Sequence, residues 1–203
     1  MRLLRVGGDS LLVEVADTTE VMRVYDEALR QQVEATDVVP AARTVLFSGV
    51  PDLARLEKEL STWELAGLAR TAPGHGSLVE VPTVYDGPDL DAVARHWGLT
   101  SREVVELHTS REMVVAFCGF APGFAYCTSL DELPPVPRLA EPRTRVPAGS
   151  VGLADVFTGV YPSPSPGGWQ LVGRTDIALW DESRDPPATL APGTRVRFVE
   201  VPR

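Results

Sequence analysis

The chain has 203 residues, 44% hydrophobic and 23% charged, with a mean hydropathy of −0.01, so it can bury a core without disulfide or metal staples. Nineteen basic against 28 acidic residues leave a net charge of −9, which excludes the basic footprint of a nucleic-acid binder and any general attraction to anionic membranes. No run approaches the ~18 apolar residues of a membrane span, and charged residues interrupt the N-terminus before a signal sequence forms, so the expected location is the cytoplasm.

The first half alternates strands and helices. Leu11 to Val15 is a β-rich run after the Gly7-Gly8 turn. Asp17 or Thr18 caps a helix in which Val21, Val24 or Tyr25, and Ala28 share a face. Val38 to Pro40 and Thr44 to Phe47 read as strands around a turn. Pro51 suits the first position of a second helix, whose apolar face carries Leu53, Leu56, Leu60 and Trp63. Ala72 to Gly76 is the expected linker, which places a domain boundary between residues 76 and 77. Leu78 to Tyr85 then reads as a strand and Asp89 to Trp97 as a helix. Thr100 and Glu103 form a capping box that opens another helix, running to about His108. Met113 to Phe117 is the next strand.

From Cys118 onward the character changes. Nine of the 18 prolines lie between Pro122 and Pro166, which breaks helices and suits short strands between turns. Val156–Tyr161, Trp169–Gly173, Ile177–Trp180 and Val196–Val201 are the strand candidates. The C-terminal half therefore reads as an all-β barrel or sandwich with rigid loops.

Familiar catalytic patterns are missing: there is no phosphate-binding P-loop, no clean GxGxxG and no GxSxG elbow. His75, His96 and His108 have no partners at zinc-ligand spacing, so no metal site is expected. Cys118 and Cys127 read as structural thiols. Three other runs stand out. In Gly119-Phe120-Ala121-Pro122-Gly123-Phe124-Ala125-Tyr126, glycines and a proline stiffen a turn that interleaves three aromatics. Exposed, these rings form a wall on which a small planar ligand stacks; buried, they are barrel core. In Glu141 to Gly152, prolines flank two arginines whose forks match a carboxylate or phosphate, and Ala148-Gly149-Ser150 offers free N–H groups and a hydroxyl. The bland alternative is a hairpin with solvated arginines. In Thr158 to Thr175, a Ser-Pro-Gly-Gly-Trp turn presents Trp169, and Arg174 follows a glycine that permits close approach. A tight hairpin held by a core tryptophan explains this run equally.

Together these runs resemble the KipI-like family, which comprises the B-type component of 5-oxoprolinase and allophanate hydrolase subunit 1. The resemblance covers essentially the whole chain and is strongest from Leu107 to Thr175. It rests on Gly-Phe-x-Pro-Gly-Phe-x-Tyr, Pro-Arg-x-x-Val-Pro-Ala-Gly-Ser-Val-Gly, Thr-Gly-x-Tyr-Pro and Ser-Pro-Gly-Gly-Trp-x-x-x-Gly-Arg-Thr, in that order. The chain departs from the family at Ala154-Asp155-Val156-Phe157, where a glycine and a glutamine are usual, and at Cys127-Thr128-Ser129.

The resemblance implies an α+β fold, with a small α/β N-terminal domain (1–76) followed by a cyclophilin-like β-barrel (77–203). It implies a cytoplasmic subunit of an ATP-dependent 5-oxoprolinase, which opens 5-oxoproline to glutamate. Such a subunit works with a paired protein, the C-type component of 5-oxoprolinase or its allophanate hydrolase subunit 2 counterpart, and with a third subunit. No cofactor is expected in this chain; ATP, and biotin in urea-carboxylase relatives, act on partner subunits. The free chain also allows homo-oligomers through the same surface. Within that frame Arg143, Ser150 and His108 are the catalytic candidates. Phe120, Pro122, Gly123, Phe124, Tyr126, Arg145, Pro147, Ala148, Gly149, Tyr161, Trp169 and Arg174 are the candidates for binding a small amide or lactam, with the Ala148-Gly149-Ser150 backbone as an oxyanion cradle. The alternatives are a carboxyltransferase or allophanate-hydrolase subunit of urea metabolism, and a KipI-like inhibitor of a histidine kinase. Proline isomerisation follows from the fold alone, and none of these runs carries that active-site pattern.

Overall fold

The computed structural model describes residues 1–68, 78–129, 131 and 133–203. The chain divides into two compact units, Met1–Ala72 and Pro73–Arg203. The linker and boundary expected at 72–77 lie outside the described residues.

The first unit holds an antiparallel sheet of β1 (Arg2–Val6), β2 (Ser10–Glu14), β3 (Asp37–Pro40) and β4 (Thr44–Ser48), in the order β1-β2-β4-β3. Period-two alternation sends Leu11 and Val13 of β2, and Val45 and Phe47 of β4, to one buried face. Helix α1 (Thr18–Arg30) covers that face with Val21, Val24 and Ala28, and α2 (Leu53–Leu60) with Leu56 and Leu60. Asp17 caps α1 by accepting from the Glu20 N–H, and Asp52 caps α2 through Arg55. Pro51 therefore precedes the cap instead of opening the helix. Strand β1 carries no sequence signal of its own: it is an edge strand with no buried residue, so it lacks the apolar alternation that marks β2.

The second unit is mostly sheet. Its strands are β5 (Leu78–Thr83), β6 (Glu112–Cys118), β7 (Ala125–Ser129), β8 (Arg143–Val146), β9 (Ser150–Ala154), β10 (Phe157–Val160), β11 (Ser165–Gly167), β12 (Gln170–Arg174) and β13 (Arg195–Glu200). Seven of them form one sheet in the order β12-β9-β10-β7-β6-β13-β5, while β8 and β11 form a separate pair. The long sheet curls until its two edges touch: the backbones of Val84, just after β5, and Arg174, at the end of β12, exchange two hydrogen bonds of 2.9 Å. Strands β5 and β13 pair in parallel, Leu78 opposite Arg195 through Thr83 opposite Glu200.

Helices α3 (Leu90–Trp97) and α4 (Ser101–Ser110) pack together, α3 also onto β12 and α4 onto β13. Gly98 ends α3 in the left-handed conformation, and Thr100 with Glu103 forms the expected capping box of α4. One core lies inside the curl, around Val81, Met113, Val115, Leu153, Val196 and Phe198. A second cluster groups Phe124, Val146, Ala154, Tyr161, Trp169 and Leu171. The chain is thus mixed α+β and dominated by sheet, as expected. The strand expected at Ile177–Trp180 does not form: it makes one isolated bridge, Trp180 to Ala188. No helix among the described residues is long and apolar enough to cross a membrane.

Candidate functional site

The turn between β6 and β7 is wound tightly by its own backbone. Ala121 donates to the Gly119 carbonyl, Phe124 to that of Ala121, and Gly119 to that of Phe124, at 2.9 to 3.2 Å. Gly123 has φ +83, as a glycine permits, but Phe120 has φ +71, which is unusual for an aromatic residue. This turn throws Phe120 outward, 62% exposed, while Phe124 turns in at 1%. The Phe124 ring meets Tyr161 edge-on at 5.2 Å and Trp169 at 5.3 Å. Tyr126 stacks on Phe117 at 4.3 Å. Phe157, one of the departures from the family pattern, extends the cluster by standing edge-on to both. Both readings of the aromatic run therefore apply. Phe124, Tyr161 and Trp169 are core, and their edges, with Phe120 and Tyr126, border a cleft.

That cleft has a volume of about 80 Å³. It brings together five of the expected residues, Phe120, Phe124, Tyr126, Tyr161 and Trp169, with Pro166, Gly167, Gly168 and Arg138. A side chain at Gly167 would land on the Tyr161 hydroxyl, so glycine is required there. Burial raises the Tyr126 and Tyr161 phenols above their usual range, and the Arg138 charge opposes that rise. Arg138 is the residue of the cleft that sequence reasoning passes over; its one signal is an arginine placed after Pro135-Val136-Pro137. Pro122 and Gly123 shape the turn without lining the cleft.

The remaining expected residues are placed elsewhere. Arg143 grips both oxygens of Asp89 at 2.7 and 2.8 Å and donates to the Trp169 carbonyl at 3.3 Å. Asp89, 8% exposed, also accepts from Leu171 N–H at 2.6 Å. Standing at the N-terminus of α3, it makes no side-chain capping bond there, because its carboxylate is used on Arg143 and β12. Arg143 is thereby a tie between α3, β8 and β12 and not an open anion receptor. Arg174 pairs with Asp86 at 3.2 Å. Arg145 is exposed on β8 and does not line the cleft.

The cradle expected at Ala148-Gly149-Ser150, next to Pro147, has two of its N–H donors occupied. Gly149 N–H goes to the Tyr161 carbonyl at 2.8 Å, and Ser150 N–H to that of Pro147 at 3.3 Å. Ser150 itself is 7% exposed. This segment is a turn wired into neighbouring strands, so it offers no preorganised oxyanion hole at those two N–H groups.

His108 is fully buried. Its Nδ1 hydrogen-bonds the Tyr85 hydroxyl at 2.6 Å and its Nε2 the Thr158 hydroxyl at 3.1 Å. Its ring packs 4.6 Å from that of Phe198. Desolvation pushes the imidazole down to about 3, so it is neutral at pH 7, one ring nitrogen donating and the other accepting. It is a satisfied core histidine, out of reach of substrate. The unfolded chain binds this proton near pH 6.5 and the folded one only near 3. Stability is therefore complete above about pH 6.5 and drains as the pH falls, by about 1.4 kcal/mol per unit from this group. Urea unfolding between about pH 7 and 5 is expected to show that extra slope in the wild type and not in His108→Gln; equal slopes would contradict it.

The two thiols are likewise core groups: burial pushes Cys118 up to about 11 and raises Cys127 further. Among the described residues, no three His, Cys, Asp or Glu side chains gather in a way that would hold a metal ion.

The sequence model of the family described as "Carboxyltransferase domain, subdomain C and D" matches residues 1–190. The chain is 56% identical to the B-type component of 5-oxoprolinase from Escherichia coli O157:H7 over 125 residues, 60% of this chain and 57% of that protein. The chain thus spans less than two thirds of that curated relative. A solved structure of the conserved uncharacterized protein PH0987 from Pyrococcus horikoshii is 30% identical, with a TM-score of 0.59 over 98% of this chain and 97% of that one. The urea amidolyase of K. lactis shares the fold, at 21% identity and a TM-score of 0.71, over 98% of this chain and 15% of that one.

Proposed function

This chain belongs to the carboxyltransferase-domain family of subdomains C and D, and from that membership we propose that it is the lactam-binding subunit of an ATP-dependent 5-oxoprolinase. The observation that carries the reading is the 56% identity to a B-type 5-oxoprolinase component. The aromatic cleft supports it. A volume of about 80 Å³ is well below the roughly 300–1,000 Å³ of sites for drug-sized ligands, which suits one small ring between Phe120, Tyr126, Tyr161 and Trp169. In this reading ATP, and biotin if it takes part, act on partners: a paired C-type component and a third subunit. The curl of the seven-stranded sheet, with its edges meeting at Val84 and Arg174, supports reading Pro73–Arg203 as the cyclophilin-like barrel and Met1–Ala72 as the small N-terminal domain.

In this reading the apolar faces of the cleft exclude water from the lactam ring and hold it while partner subunits supply the phosphorylating chemistry. Two phenols held above their usual range stay protonated at pH 7, so Tyr126 and Tyr161 face the ring as neutral groups. A second reading, a subunit acting on urea-type amides, draws on the fold shared with urea amidolyase.

The test is 5-oxoproline-dependent ATP hydrolysis and glutamate release by the chain assembled with its paired and third subunits, run beside the same mixture lacking this chain. Turnover that requires the chain is the expected result. Its absence from a folded complex would overturn the oxoprolinase reading and move the search to carboxyl transfer onto urea.

A further inference from the structure

We propose that Arg138 selects the ligand of the aromatic cleft by receiving its carboxylate, which makes the cleft a site for a small ring acid and not for an uncharged amide. The inference rests on the lactam reading and sharpens it, because 5-oxoproline carries a carboxylate beside its lactam, whereas urea carries none.

Arg138 lies in the segment between β7 and β8, and that segment is clamped on both sides of it. Val136, 2% exposed, exchanges hydrogen bonds of 2.9 and 2.7 Å with Asp155. The Pro137 carbonyl accepts from Gln170 Nε2 at 3.1 Å. Leu139 N–H donates to the Gly168 carbonyl at 2.8 Å. Pro137 also fixes its own φ. The chain is thus pinned at residues 136, 137 and 139, and Arg138 is held between them at the edge of the cleft.

Its side chain, in contrast, is unspent. None of the ion pairs among the described residues uses Arg138, although Arg143, Arg174, Arg195 and Arg197 all have carboxylate partners. It lines the aromatic cleft as well as the adjoining hollow of Pro135 and Asp155, and its charge acts on the Tyr126 and Tyr161 phenols. An arginine fork matches a carboxylate bidentately. Aromatic walls with one guanidinium at the rim describe a receptor for a small ring bearing one anionic group. Of the arginines that the sequence suggests for anion binding, Arg143 and Arg174 are paired and Arg145 lies outside the cleft, which leaves Arg138 for that role.

The experiment titrates the chain, together with its paired subunit, with 5-oxoproline, 2-pyrrolidinone (the same lactam without the carboxylate) and urea. Binding is read by calorimetry or Trp169 fluorescence for the wild type, Arg138→Met and Arg138→Lys. Thermal melts of all three proteins establish that they are folded. A charged hydrogen-bonded pair corresponds to roughly 10- to 100-fold in affinity. Arg138→Met is therefore expected to weaken 5-oxoproline by at least about tenfold, with Arg138→Lys between it and the wild type and 2-pyrrolidinone unaffected. Equal affinity of the wild type and Arg138→Met for 5-oxoproline would overturn the carboxylate role and leave the lactam reading standing. Binding of neither lactam by the wild type would overturn both.

Discussion

Arg143→Met is expected to cost about 2–4 kcal/mol of stability, a fall in melting temperature of roughly 4–16 °C, whether or not any ligand is present. The substitution keeps much of the side-chain length but removes the fork that holds both oxygens of Asp89. Asp89, 8% exposed, is then left with a buried charge whose remaining partner is the Leu171 N–H, and removing one member of a buried pair is what makes such changes expensive. The expected loss is set below the full buried-pair cost because the Arg143 side chain retains 27% exposure and solvent screens part of the interaction. Asp89→Asn is expected to destabilise in the same direction, and the double variant to lose less than the sum of the two singles. Thermal melts of the three proteins check this. A stable Arg143→Met chain that loses 5-oxoproline binding would return Arg143 to the site.

Gly149→Ala carries the other large effect, about 3 kcal/mol or more in urea unfolding. Two costs coincide there. The backbone sits at φ +77, where an added Cβ is strained. That Cβ would also land on the Thr175 carbonyl oxygen, a backbone atom that cannot swing aside. Moving it breaks the bonds that hold the turn, Thr175 N–H to the Gly149 carbonyl and Gly149 N–H to the Tyr161 carbonyl, both 2.8 Å. Gly193→Ala is the internal control: φ is +84 but nothing lies within 4 Å of the new Cβ, so only the conformational cost of about 1 kcal/mol applies. Equal losses for the two variants would show that the Thr175 contact relaxes freely.

These two positions show how far local sequence reaches. Gly149 is legible as a special residue, but its partner Thr175 is not, so a structural turn reads as an anion cradle. Arg143 reads as a presented guanidinium because Asp89, 54 positions away, carries no mark of the pairing. Helices are read closely because their signals are local: Asp17 before α1 and the Thr100–Glu103 box before α4. Strands β8, β9 and β11 are not legible. Strand β9 is buried along its whole length and contains Gly152, so it lacks the alternation of a half-exposed strand, while β8 and β11 are short and lie among prolines. Ile177–Trp180 has strand-like composition, yet it finds only a single bridge to pair with. The aromatic half of the cleft is visible as a motif; Arg138 is not, because it is set in place by Asp155, Gly168 and Gln170, all distant in the chain.

The parallel pairing of β5 with β13 also bears on how the protein comes into being. Leu78 finds its partner at Arg195, so the first strand of the second unit waits for the last to be synthesised. During translation β5 has an open edge on that side, and the core beneath Val81 stays incomplete until Phe198 has left the ribosome. Contacts this distant slow folding and lengthen the time that apolar strand surface is exposed to other nascent chains. The first unit pairs β1 to β4 within 48 residues and has no such wait. Synthesis therefore delivers a sheet that can close early, followed by a curled sheet that gains its β5–β13 pairing only with its final strand, and it is during that interval that a chaperone would find this chain.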